Sequence, residues 1–248
     1  MIDGIPVTGI GPSAFQNCRH LTRVELPATL TRIGVSAFRD CVGLTGVAIP
    51  PGVATVERSA FQGCANLSEI SLANGVRKID TAAFAGCAKL TEVRLPASVA
   101  SVGANVFADC PGLSAIRTED GNPAFRSDKN GVLFSKDKTT LVCYPVGKAG
   151  TYTVPSCVTN IGPNAFESCT GLTSVALSRR LARIGNRAFA RCPNLSSVKF
   201  PKGLADIGAG AFQDCVRLPS IELPERLSSL GDFAFWNCPL LTRVELPD

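Results

Sequence analysis

Apolar positions in this chain recur with a period of 23 residues. Phe stands at 15, 38, 61, 84 and 107, then at 166, 189, 212 and 235, and every interval is 23 except one of 59. Each of these Phe is followed three residues later by Cys, at 18, 41, 64, 87, 110, 169, 192, 215 and 238, and preceded five residues earlier by Ile, Val or Leu. Nine matches in register identify an internal repeat, and the repeat decides the fold.

Each apolar position of the unit LTRVELPATLTRIGVSAFRDCVG, residues 21–43, predicts an element. Val24 and Leu26 are two apart, so both point to one side of an extended chain. Pro27 lacks an N–H and ends that strand, as do Pro50, Pro96, Pro201 and Pro224. A turn and a second apolar pair, Leu30 and Ile33, follow. Gly34 then precedes a segment predicted to make one or two short helical turns, which bury Phe38 and Cys41 on one face. So short a turn is not stable alone, and the unit cannot close its own core. It must stack on copies of itself. The expected fold is therefore a repeat protein, an α/β solenoid: one right-handed superhelix over 1–248 with a parallel β-sheet and short helical turns. At ~4.8 Å per coil, nine to ten coils extend roughly 45–50 Å.

Regular repeats at 1–112 and 151–248 flank an irregular coil at 113–150. It begins as a normal strand and meets the turn cluster EDGNPAF, residues 119–125. The apolar runs Val132-Leu-Phe134 and Leu141-Val-Cys-Tyr144, separated by a charged loop, predict a β-hairpin insertion. It is a spacer that bends the solenoid or a projecting contact element, with Lys136 and Lys138 at its basic tip. Residues 1–20 hold only the second half of a unit, and 241–248 only the first half of another. Without polar caps at either end, a chain truncated at both ends is expected, with end-to-end self-association through the uncovered coils.

The motif Leu-x-x-Ile/Val-x-Leu-Pro, followed by Ile-Gly-x-x-Ala-Phe-x-x-Cys, resembles the BspA-type (TpLRR-type) leucine-rich repeat over almost the whole chain. The Asn that common leucine-rich repeats carry after the strand is absent; that place holds Thr29, Gly52, Gly75, Ser98, Cys157, Arg180, Gly203 and Arg226. The resemblance implies a non-enzymatic binding module, an adhesin-like protein that is surface-displayed or secreted and binds host matrix or cell-surface proteins. It implies no enzyme.

Composition changes this picture little. Lys+Arg is 25 against Asp+Glu 20, a mild excess, and the 6% aromatics are mostly Phe, so no basic stripe interleaved with aromatics points to nucleic acid. A single His leaves no material for a multi-histidine metal site and little for acid–base catalysis. No cofactor or metal is expected. No apolar run approaches the ~20 residues of a membrane span. The start MIDGIPVTGI lacks a leader. If Met1 is the true start, the expected location is cytoplasmic and the alternative function is an intracellular protein–protein interaction scaffold, which reduced thiols would suit. If the chain is a fragment, it is extracellular or at the cell surface.

The repeat Cys are expected to be nine buried free thiols, since 23-residue spacing makes a line rather than a tetrahedron. Cys143 and Cys157 lie off that line, bridged or free. Cys18 and His20 could pair as nucleophile and base, but Cys18 belongs to the buried line. Trp236 is expected to pack. Candidate partner-binding residues are the outward positions of the strand, which the sheet presents in rows: Arg23, Glu25, Glu69, Glu92, Arg94, Arg117, Lys199, Glu222, Arg243 and Glu245. A second candidate, for an anionic glycan, lipid headgroup or acidic protein, is the acid-free run around Arg179, Arg180, Arg183 and Lys202, either a solvated flank or a contact site.

Overall fold

The computed structural model describes residues 6–246; the outermost parts of the two terminal half-units, 1–5 and 247–248, lie outside the described residues. The chain forms two compact units, Met1–Ser127 and Asp128–Asp248. Each is a β-solenoid of stacked coils.

In the first unit, five two-residue strands, Gly9–Ile10, Arg32–Ile33, Thr55–Val56, Lys78–Ile79 and Ser101–Val102, form a parallel sheet in chain order. A second row is built from longer strands. Gly46–Ile49 pairs in parallel with Glu69–Leu72, and Glu92–Leu95 with Ala115–Thr118. From Gly46 onward each coil of this unit thus carries two strands where the sequence pattern predicts one, whereas the strand predicted at Val24 and Leu26 is reduced to an isolated bridge from Arg23 to Gly46. The extra strand is the Leu30-x-x-Ile33 pair: both side chains are fully buried, and burial leaves the backbone between them bonded only to its neighbours above and below. The EDGNPAF cluster ends this unit around Asn122. Its buried amide donates to the carbonyls of Pro96 (3.0 Å) and Val99 (2.9 Å), and its oxygen accepts from the amides of Ala124 and Phe125.

The second unit opens with the expected hairpin, Leu133–Ser135 antiparallel to Thr140–Cys143. Its second strand is also the first of a parallel row that continues through Asn160–Ile161, Arg183–Ile184, Asp206–Ile207 and Ser229–Leu230. Gly150–Thr153, Leu172–Ala176 and Ser197–Lys199 form the longer row, as do Ser220–Glu222 and Arg243–Glu245.

The predicted helical turns are a correction. No helix forms among the described residues. In 36–41, amides alternate between two kinds of partner. Ala37, Arg39 and Cys41 donate within the coil, to Gly34, Ser36 and Phe38; Ser36, Phe38 and Asp40 donate to Arg58, Ala60 and Gln62 of the next coil. A helix would spend every amide internally, whereas this arrangement spends half on stacking. It requires left-handed backbone at Ser36 (φ 56°) and Asp40 (φ 58°).

Phe and Cys sit inward as expected. Phe15, Phe38, Phe61, Phe84 and Phe107 stack face to face with centroids 5.1–6.2 Å apart. In the second unit the column runs from Tyr144 through Phe166, Phe189, Phe212 and Phe235, at 4.7–5.2 Å. Tyr144 takes the Phe place in the hairpin coil, its amide bonded to Ala165 as that of Phe166 is to Ala188. Eight repeat Cys are buried; the ninth, Cys18, is exposed, a correction. The buried thiols explain why. Cys64 donates to the Phe38 carbonyl of the preceding coil (3.2 Å), and Cys41, Cys87, Cys110, Cys192, Cys215 and Cys238 do the same one period apart. Cys18 has no described coil on that side.

Candidate functional site

The longer strand row fixes the outward side chains in lines. In the first unit, register places Gly46 beside Glu69, Ala48 beside Ser71, Glu92 beside Ala115 and Arg94 beside Arg117. Long side chains border the face at two places. Arg23 and Glu25 pair at 3.0 Å on one border. Glu92 pairs with Arg94 (3.1 Å) and Arg117 (3.6 Å) on the other. Between them the floor is Gly46, Ala48 and Ser71, all small. The result is a trough of about 980 Å³ that Glu69 and Glu119 also line. Glu69 is exposed and has no ion pair among the described residues. Gly46 is not demanded by the backbone: its φ is ordinary, and a Cβ there would meet nothing closer than Glu69 Cβ at 3.7 Å.

In the second unit the same row holds a smaller hollow. Lys199 and Glu222 line a hollow of about 420 Å³ with Ser197, Ser220 and Phe200. Arg243 and Glu245 form an ion pair with each other. All ten predicted sheet-face residues thus lie on the outward side, six on the first unit and four on the second, and most charges are already paired. Sequence reasoning missed the floor residues and Glu119; the signal was a column of small residues between two columns of charge.

The predicted basic set divides. Arg179 and Arg180 are exposed at the corner that the Leu181 amide closes on Ser178 O (3.0 Å), and Lys202 is exposed at the same corner one coil on. Arg183 lies in the next strand, and Asp206 holds its guanidinium at 2.8 Å. At the hairpin, Lys136 and Lys138 flank Asp137. Its carboxylate accepts from Ser135 Oγ (2.6 Å) and from the Thr139 amide (3.0 Å), which holds its pKa below the usual value, so the tip carries both signs of charge. On the turn side of the second unit, buried Glu167 binds Arg187 at 2.8 Å, a pair absent from the sequence reading.

The buried thiols of Cys64 and Cys110 are poor nucleophiles, because burial pushes both up to about 12. Cys143 and Cys157 are free thiols. Among the described residues no group of three or more His, Cys, Asp or Glu could hold a metal ion, and no helix is long and apolar enough to cross a membrane.

The BspA type leucine rich repeat region matches this chain in six copies, over residues 7–128 and 144–248. No curated protein sequence matches it. Among solved structures it is similar to the pneumococcal vaccine antigen PcpA, at 25% identity and a TM-score of 0.81, covering 96% of this chain and 67% of that one. It is also similar to a leucine rich cell surface protein from Faecalibacterium prausnitzii A2-165, at 33% identity and a TM-score of 0.82, covering 96% and 63%. A leucine-rich repeat protein from Eubacterium ventriosum, at 21% identity and a TM-score of 0.71, covers 97% and 78% and shares the fold. The chain spans about two thirds of the length of the first two.

Proposed function

The chain belongs to the BspA-type leucine-rich repeat family, and from that premise we propose that it is a non-enzymatic protein-binding module, displayed at a cell surface or secreted, with an adhesin-like role. Its partner is a protein on another cell or in the host matrix. The trough on the sheet face of the first unit carries this reading. A floor of Gly46, Ala48 and Ser71 lets a partner's backbone approach, and the ion pairs at its borders hold long side chains clear of the floor. A broad, polar face of this kind suits a partner that covers much area with modest energy per residue. Two structural neighbours with surface or antigen descriptions support the location.

The test is binding to purified extracellular matrix proteins and to whole cells, with wild type and an Ala48→Trp variant that fills the trough. Binding by wild type, lost in the variant with the thermal transition unchanged, supports the reading. Absence of any protein or cell partner, or a partner indifferent to Ala48→Trp, overturns it.

A further inference from the structure

Each coil turns a tight corner after its longer strand, and the two residues at the tip of that corner face solvent. In the first unit the tips are Ala28-Thr29, Pro51-Gly52, Asn74-Gly75 and Ala97-Ser98, without one charge, and then the acidic Asp120-Gly121, so none carries a cation. The second unit begins the same way, with Ser156-Cys157. Its next three tips are Arg179-Arg180, Lys202-Gly203 and Glu225-Arg226. The corners are equivalent: the amides of Leu181, Leu204 and Leu227 close them on the carbonyls of Ser178, Pro201 and Pro224 at 2.9–3.0 Å. The strands that follow pair in register, Arg183 with Asp206 and Asp206 with Ser229. Four cations therefore stand on three consecutive coils in two adjacent columns, Arg179 with Lys202 and Arg180 with Arg226; Glu225 continues the first column, and Gly203 lies between the two arginines of the second. All four are exposed, and none is in an ion pair among the described residues. The acid-free run does not behave alike throughout: Arg183 is taken by Asp206 and Arg187 by Glu167, whereas the corner cations have no acid opposite them except Glu225 beside Arg226. The first corner is also braced. Buried Ser178 donates to Ser156 O (3.3 Å) and accepts from the Arg180 amide (3.1 Å), so the double-Arg tip is held rather than loose.

We propose that Arg179, Arg180, Lys202 and Arg226 form a binding site for a linear anionic glycan, one that carries sulfate or carboxylate groups along its length. Coils ~4.8 Å apart set the cations along roughly 10 Å, in a strip two residues wide rather than a broad plane. A narrow strip matches a polymer with charge repeated at each sugar. A lipid surface would need apolar side chains beside the cations to enter the bilayer, and the adjoining leucines, Leu181 and Leu204, are fully buried. An acidic protein patch would need an apolar centre to the contact, which these corners lack. The site is separate from the trough and does not depend on it.

The experiment measures binding of a heparin octasaccharide to the full chain at physiological salt by calorimetry. The double variant Arg179→Ser/Arg180→Ser is expected to bind about tenfold more weakly, and Arg226→Ser about threefold. Arg58→Ser/Arg77→Ser, an equal loss of exposed charge in the first unit, should leave binding within about twofold. Serine already occupies corner tips at Ser98 and Ser156, so these variants should fold; if the double variant loses its thermal transition, Arg226→Ser carries the test. No binding by wild type, or an equal loss in the first-unit control, overturns the proposal. Tighter binding to phosphatidylserine vesicles or to a hexa-glutamate peptide overturns the glycan assignment.

Discussion

The two units use one coil and differ in what they hang on it. In both, Phe rings stack, thiols donate to Phe carbonyls of the coil before, and alternate turn amides bind the coil after. Corner tips carry no cation in the first unit, where the last is the acidic Asp120-Gly121, and carry four cations and one acid over three coils of the second. The sheet face holds a trough of about 980 Å³ in the first and a smaller hollow of about 420 Å³ in the second. The turn side carries a buried Glu167–Arg187 pair in the second, where the Glu place in the first is held by Gln16, Arg39, Gln62, Ala85 and Ala108. Positions that the stacking bonds require are constant, and positions that they leave free carry the differences. Substitutions in the shared ladder should therefore harm either unit severely, and substitutions at the free positions should have smaller effects that differ between the units.

The largest effect should come from alkali, because it acts on the ladder in both units at once. Burial raises the pKa of Cys41, Cys64, Cys87, Cys110, Cys169, Cys215 and Cys238, with Cys64 and Cys110 reaching about 12. Their unfolded thiols titrate near ~8.5. Above that pH the unfolded chain releases protons that the folded chain keeps, so stability is complete below it and falls as pH rises towards the folded values. Each such thiol contributes a slope approaching ~1.4 kcal/mol per pH unit. Urea midpoints should drop steeply between about pH 9 and 11, and Cys64→Ala should flatten the slope while it lowers stability at pH 7. Midpoints independent of pH over that range would mean that the thiols are not buried.

Next comes the ring column. Phe84→Ala leaves a cavity between Phe61 and Phe107 and should cost about 3–5 kcal/mol, with Phe189→Ala equal to it in the other unit. Phe15 is 39% exposed at its end of the column, so Phe15→Ala should cost under about 2 kcal/mol. Equal losses at positions 15 and 84 in chemical denaturation would contradict the column.

Arg187→Ala tests a difference between the units. It leaves the Glu167 carboxylate buried with Asn164 as its remaining partner. Because the Arg187 side chain is 40% exposed, solvent replaces part of the bond, and the loss should be about 1–2 kcal/mol. The corresponding change in the first unit, Ser59→Ala, breaks no such pair and should cost less than about 0.5 kcal/mol. If the two variants lose equally, the ion pair does not distinguish the units.

Much of this was legible in the sequence because the repeat averages out chance. Phe, Cys and Pro at fixed places located the core, the line of thiols and the strand ends. The second strand in each coil was not legible, since a two-residue strand has no alternation to detect. The helical turns were misread because Phe and Cys three apart face the same way in a helix and in alternating turns; only the partners of the amides distinguish them. The thiol bonds span 26 residues, one period plus three, and become visible only once the coil height is known. Arg183–Asp206 was readable, as opposite charges one period apart. The trough was not, because small residues also fill places that nothing touches.

The smallest effect concerns backbone strain at a free position. The third residue of each turn segment is left-handed in every regular coil, and it is Ser13, Ser36, Ser59, Ala82, Asn105, Asn164, Arg187 and Gly210 before it is Phe233, with φ 57°. A bulky residue pays for that conformation through the clash of Cβ with the backbone, about 1 kcal/mol, and a Gly does not. Phe233 recovers little by packing, since it is 70% exposed. Phe233→Gly removes the clash but frees the unfolded chain, which offsets part of the gain. The net expectation is a stabilisation of about 0.5 kcal/mol, read as a higher urea midpoint at unchanged slope. Gly210→Ala is the converse test at the equivalent position one coil earlier and should destabilise by about 1 kcal/mol, Gly210 being at φ 61°. A loss of stability in Phe233→Gly would mean that the Phe233 ring is held by contacts that outweigh its strained backbone, and that this position is not free in the second unit.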